Sequence, residues 1–124
     1  MRSDRYRYYN RNPDKVEEED CVYRAISTAL GIRYDAASRL LDLSAEVNRC
    51  DTLCVCCYRY LLTDLFCLNG YSTNREVTVA EIAANHPNDK VIIRVDGHLT
   101  CSINGVVLDI WDCTEELVDC FWVV

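Results

Sequence analysis

The stretch HLTCSINGVVLDIW, His98 to Trp111, decides how this chain is read. Asn104-Gly105 is the strongest short-range signal for a two-residue β-hairpin turn, because both positions tolerate positive φ. Such a turn pairs Ile103 with Val106. Counting outward, Cys101 faces Leu108, Thr100 faces Asp109 and His98 faces Trp111. Paired residues of an antiparallel ladder project to the same side. One face is then Leu99, Cys101, Ile103, Val106, Leu108 and Ile110, all apolar. The other holds His98, Thr100, Ser102, Val107, Asp109 and Trp111. A slip of one residue would scramble this partition, so the pattern itself supports the register.

Outward from the hairpin, Val91–Val95 is a β-branched run and Cys120–Val124 reads as a last strand. The first half is helical in pattern. Val22, Ala25, Ile26, Ala29 and Leu30 share one helical face. Asp20 is the expected N-cap of that helix, and Gly31 its C′ residue. A second helix is expected from Tyr34 or Asp35 to about Leu43. A third runs from Cys57 to about Leu68, stopped by Asn69-Gly70. A short fourth runs from Val79, behind a Thr78 cap, to about Asn85. Residues 44–56 carry no clear period. Helices first and strands last predict an α+β fold, with N-terminal helices packed on a C-terminal antiparallel sheet.

The 124 residues suit a single domain, 1–124, with one core. Residues 1–16 alternate Arg with Tyr and read as an N-terminal arm or edge strand lying on it. Single-stranded nucleic acid is the competing reading of that pattern. The patch is short and an acidic run follows it, so nucleic acid is not an expected partner. Thirteen Lys and Arg against 20 Asp and Glu give a net charge of −7, which also disfavours polyanions. No apolar run has membrane-spanning length and the start is polar, so a cytoplasmic protein without membrane contact is expected. Nine cysteines, an odd number, are expected as reduced thiols.

Three residues stand out as a constellation. Cys21 begins the first helix, where free N–H groups and the dipole favour a thiolate and offer a donor to an oxyanion. His98 and Asp109 are diagonal neighbours on one hairpin face. A carboxylate there would orient the imidazole and stabilise its protonated form. Trp111 would shield that bond. Asp112 points to the other face and is the reserve for Asp109. The Glu17–Asp20 run works against a Cys21 thiolate.

These residues resemble papain-like cysteine peptidases, and especially small papain-like domains encoded by bacteriophages. The resemblance rests on Tyr8-Tyr9-Asn10, Asn12-Pro13, Asp20-Cys21-Val22, Arg24-Ala25-Ile26, Gly97-His98 and Asp109-Ile110-Trp111. It spans Tyr8 to about Asp112 and is weakest over residues 44–75. It implies a papain-like fold and a Cys21–His98–Asp109 triad that hydrolyses a protein or peptide substrate as a peptidase, isopeptidase or amidase. It also implies work in the host cytoplasm if the protein is phage-encoded. The family usually places a Gln ahead of the cysteine for the oxyanion, and this chain has no Gln. Asn12, or else Asn10, is the candidate substitute.

Two other readings compete. One is a catalytically inactive papain-like domain that binds a host or phage protein. The other is a metal or structural module built on Cys50, Cys54, Cys56, Cys57 and Cys67. The Cys54-x-Cys56-Cys57 spacing is not that of paired zinc ligands, so neither a metal nor another cofactor is expected.

Overall fold

The structure, a computed structural model, describes residues 5–124. Met1–Asp4, the start of the expected arm, lie outside the described residues. Strand β1 (Tyr6–Tyr8) is followed by α1 (Cys21–Leu30), α2 (Tyr34–Asn48) and α3 (Val55–Arg59). A π-helical stretch, Tyr60–Leu65, continues α3. Then come β2 (Asn69–Ser72), α4 (Val79–Asn85), β3 (Lys90–Val95), β4 (His98–Ile103), β5 (Val106–Asp109) and β6 (Val118–Val123).

The class is α+β, as expected, and one six-stranded sheet of order β1-β5-β4-β3-β6-β2 carries everything else. The sheet is mixed, however, rather than antiparallel. Strand β1 pairs parallel with β5, Tyr8 opposite Asp109, while the other pairings are antiparallel. Strand β2 lies where Asn69-Gly70 suggested only a helix stop. Its register sets Gly70 against Trp122, and a Cβ on Gly70 would sit 3.1 Å from the indole nitrogen. That close approach explains the glycine without any turn.

The Asn104-Gly105 hairpin has the predicted register, Ile103 opposite Val106 and Ser102 opposite Val107. Both turn residues have positive φ, 52° and 81°, as a type I′ turn requires. A second tight hairpin, turning at Asp96-Gly97, sets Val95 opposite His98 and makes His98 the first residue of β4.

The sheet buries both faces, and strand alternation sorts the core into two halves. Ile92, Leu99, Cys101 and Trp122 pack under α1, α2 and α3. Val91, Ile93, Val95, Val107 and Phe121 pack under α4 on the reverse side. Helix α1 crosses β4 through Val22, Ala25, Ile26 and Ala29, the stripe seen in the sequence. Helix α2 runs five residues past Leu43, because Ala37, Leu41 and Ala45 keep the i, i+4, i+8 face on the core. It ends at Arg49 in the left-handed region. Thr78 caps α4 in a capping box with Glu81. No helix among the described residues is long and apolar enough to cross a membrane.

Ile26 is fully buried between α1 and the sheet, whereas Leu43 on α2 is 58% exposed. Ile26→Ala should cost about 2–5 kcal/mol of stability in urea unfolding. Leu43→Ala should stay within about 0.5 kcal/mol. Equal costs at the two positions would contradict this packing.

Candidate active site

The first turn of α1 meets the turn-proximal end of β4. Cys21 opens the helix and His98 opens the strand, so two local stops in the chain set their approach. His98 Nε2 lies 2.6 Å from Asp109 Oδ2. Cys21 lies near enough to the same ring for each to shift the other's hold on its proton. Trp111 packs edge-on against it, ring centroids 5.0 Å apart, although 42% of Trp111 is exposed. The structure thus pairs His98 with Asp109, and Cys21 and His98 line the same cleft. Asp112 is turned away, its Oδ1 accepting from the Thr114 backbone at 3.0 Å.

Asp109 is held on every side. Its Oδ1 accepts from the Ile110 backbone at 2.7 Å and faces Arg24 Nη1 at 3.5 Å. Its own carbonyl accepts from the Tyr9 N–H at 2.9 Å and the Tyr6 hydroxyl at 3.1 Å. The N-terminal strand is therefore the clamp that fixes the backbone of Asp109. Arg5 and Arg11 likewise donate within the domain, to the carbonyls of Gly105 and Ile32. Cys113, fully buried, sits 3.7 Å from Asp109 Oδ2.

Arg24 lies one helical turn after Cys21 and is only 6% exposed. Its Nε donates to Asp20 Oδ1 at 2.7 Å. Asp20 does not cap α1 with its side chain, contrary to expectation. Its other oxygen accepts from Asn12 Nδ2 at 3.0 Å and from the Tyr34 hydroxyl at 2.8 Å. A buried carboxylate with a guanidinium within reach binds that charge in preference to a backbone dipole.

Asn12 is not an oxyanion donor. Its amide nitrogen gives its hydrogens to Asp20 and to Glu18, at 3.0 and 2.9 Å, and Asn12 does not line the cleft. The Asn10 amide gives a hydrogen to the Val16 carbonyl, and Asn10 does not line the cleft either. What remains beside Cys21 is the backbone of the helix start, where the first N–H groups lack intrahelical partners.

The electrostatics follow from these contacts. Burial raises the Cys21 thiol, but its bonds to His98 and to the Leu99 backbone, with the charges of His98 and Arg24, outweigh that and lower it. Burial depresses His98, yet hydrogen bonds to Asp109, Cys113 and Cys21 push it up to about 11. Burial raises Asp109, and the His98 bond and charge bring it below the usual carboxylate value. All three shifts favour a thiolate beside an imidazolium, itself beside a carboxylate. Glu18 and Glu19 stay exposed on the rim, while the charge of Asp20 is matched by Arg24.

Cys21 and His98 open into a cleft of about 530 Å³. Its lining includes the apolar Leu53, Val55 and Tyr58, the carboxylates of Glu18 and Glu19, and the guanidinium of Arg94. Compared with known proteins, the chain matches no family model, no curated protein and no solved structure. The site therefore stands on its own geometry. Sequence reasoning missed Arg24 as part of it. The signal was present: an Arg at i+4 from Asp20, on a face otherwise reserved for the core.

Arg24→Ala leaves two buried carboxylates without their cation and should cost about 3–5 kcal/mol. Asp20→Asn with Arg24→Met removes both charges and should cost less than the sum of the single changes. Denaturant unfolding of the four proteins gives the coupling. Strict additivity would show that the guanidinium does not hold the network.

Proposed function

We propose that this protein is a papain-like cysteine-dependent hydrolase of the small, phage-encoded kind. Its substrate is a protein or peptide, and it acts in the cytoplasm, the host's if phage-encoded. The observation that carries this reading is His98 bonded to Asp109 in a cleft that Cys21, at the start of a helix, also lines.

The chemistry is acyl transfer. The Cys21 thiolate attacks the carbonyl carbon and the C–N bond breaks. His98 passes its proton to the departing amine, and a thioester on Sγ remains. His98 then takes a proton from water, the resulting hydroxide attacks the thioester, and the acid leaves as the thiolate reforms. Asp109 keeps Nε2 engaged and leaves the other ring nitrogen to exchange the proton with Cys21. The Cys21 N–H stands in for the oxyanion donor that the family draws from Gln.

One observation favours a second reading, a papain-like domain retained for binding alone. Among the described residues, no Asn or Gln side chain lines the cleft. Cys21→Ala separates the two. Loss of peptide-amide cleavage supports the hydrolase, whereas undiminished biological effect in the mutant supports binding.

The thiolate can be tested without knowing the substrate. An ordinary thiol is only about 0.3% ionised at pH 6. With its proton on His98, Cys21 should react with iodoacetamide at pH 6 about tenfold or more faster than in His98→Ala. Peptide mapping by mass spectrometry reads the rate at each cysteine. Equal Cys21 rates in the two proteins, with labelling only at Cys54 or Cys56, would refute the proposed nucleophile.

A further inference from the structure

All nine cysteines are free, and six of them fall into two contrasting groups. Cys57, Cys101 and Cys113 are fully buried and behave as small apolar side chains. Cys50, Cys54 and Cys56 are different. Their three sulfur atoms lie within 4.8 Å of one another, and none of these residues is buried. Cys54 and Cys56 sulfurs are 3.1 Å apart. Cys50 packs in part against the core, but packing explains neither Cys54 nor Cys56.

The linear spacing hides this cluster. Cys54 and Cys56 alone do not make a ligand pair. The third sulfur comes from Cys50, brought back by the end of α2. Arg49 takes the left-handed region there, and the Cys50 N–H returns to the Ala45 carbonyl at 3.0 Å. Asp51 then turns the chain, accepting from the Leu53 N–H at 2.9 Å, and α3 starts at Val55. Cys57 is outside the set, since its thiol donates to the Leu41 carbonyl at 3.2 Å.

We propose that Cys50, Cys54 and Cys56 form a zinc site with three thiolate ligands and a fourth, solvent-facing position for water. Zinc–sulfur bonds of about 2.3 Å in a tetrahedron put sulfurs about 3.8 Å apart. The present separations, 3.1 Å for Cys54–Cys56 and within 4.8 Å for all three, bracket that spacing. Three thiolates so close repel one another in water, and a divalent cation removes that repulsion. Binding replaces three S–H protons by one metal, so the three thiols and Zn²⁺ become a site of charge −1 and three released protons. No redox partner is required.

The site has a structural consequence for the cleft. Leu53 and Val55, interleaved with these cysteines, form part of its wall. Thr52 is tied to α1 through the Tyr23 hydroxyl at 2.8 Å. A metal at the three sulfurs fixes the wall of the cleft at its most irregular point, independently of the triad chemistry.

The test is zinc titration of the reduced, metal-stripped full-length chain against a chromophoric chelator, with Co²⁺ as a spectroscopic probe. The expected result is one ion per chain and a thiolate-to-cobalt charge-transfer band. Cys54→Ser and Cys56→Ser, at surface positions, should each weaken binding by more than the roughly 10–100-fold cost of losing an outer-shell partner. Far-UV circular dichroism of the two variants should match the parent. Cys21→Ala and His98→Ala should bind as the parent does. No retained zinc, unchanged binding in the two serine variants, or loss of binding in His98→Ala in their place would each overturn the proposal.

Discussion

One buried guanidinium ties this molecule together. Arg24 extends from α1 to Asp20 on one side and Asp109 on the other, with all three side chains nearly out of water. Two carboxylates and one cation cannot be buried cheaply unless each is matched and hydrogen-bonded. Asn12, Tyr34, the Ile110 N–H and His98 supply the remaining partners. Arg24 therefore links the start of α1 to the end of β5. That placement sets Cys21 beside His98.

The same network resolves the conflict posed by the acidic run ahead of Cys21. Four consecutive carboxylates at a helix start would suppress a neighbouring thiolate if all faced it. Only Asp20 is buried, and its charge is taken up by Arg24. The local field at Cys21 is then set by His98, Arg24 and backbone groups. The other three carboxylates remain hydrated, where screening weakens them.

Local signals were legible in the sequence and distant ones were not. The hairpin register could be counted from Asn104-Gly105 because a two-residue turn leaves no freedom. The α1 stripe and the Thr78 cap were equally local. The parallel partnership of β1 with β5 joins residues about a hundred positions apart, and three residues of Tyr and Arg do not announce it. Strand β2 exists because β6 offers an edge, and Gly70 belongs to Trp122 rather than to a turn. Asn12 is the expected substitute for the missing oxyanion donor. Its neighbours Glu18 and Asp20 show why it is spent: a buried carboxylate competes for any amide hydrogen in reach. The Cys50–Cys56 cluster required the left-handed turn at Arg49, which nothing about an arginine predicts.

The proposed chemistry requires His98 to be an imidazolium in the resting protein. Raised to about 11 from an ordinary 6.5, it contributes stability fully below pH about 6.5 and loses it as pH rises through its folded value. The most direct measurement is ¹⁵N NMR of the histidine rings at pH 8, with His98 assigned by comparison with His98→Ala. The predicted result is a His98 ring carrying protons on both nitrogens at pH 8, and losing one only well above pH 9. A neutral His98 at pH 8, titrating near 6.5 like a solvent-exposed imidazole, would contradict the thiolate–imidazolium pair.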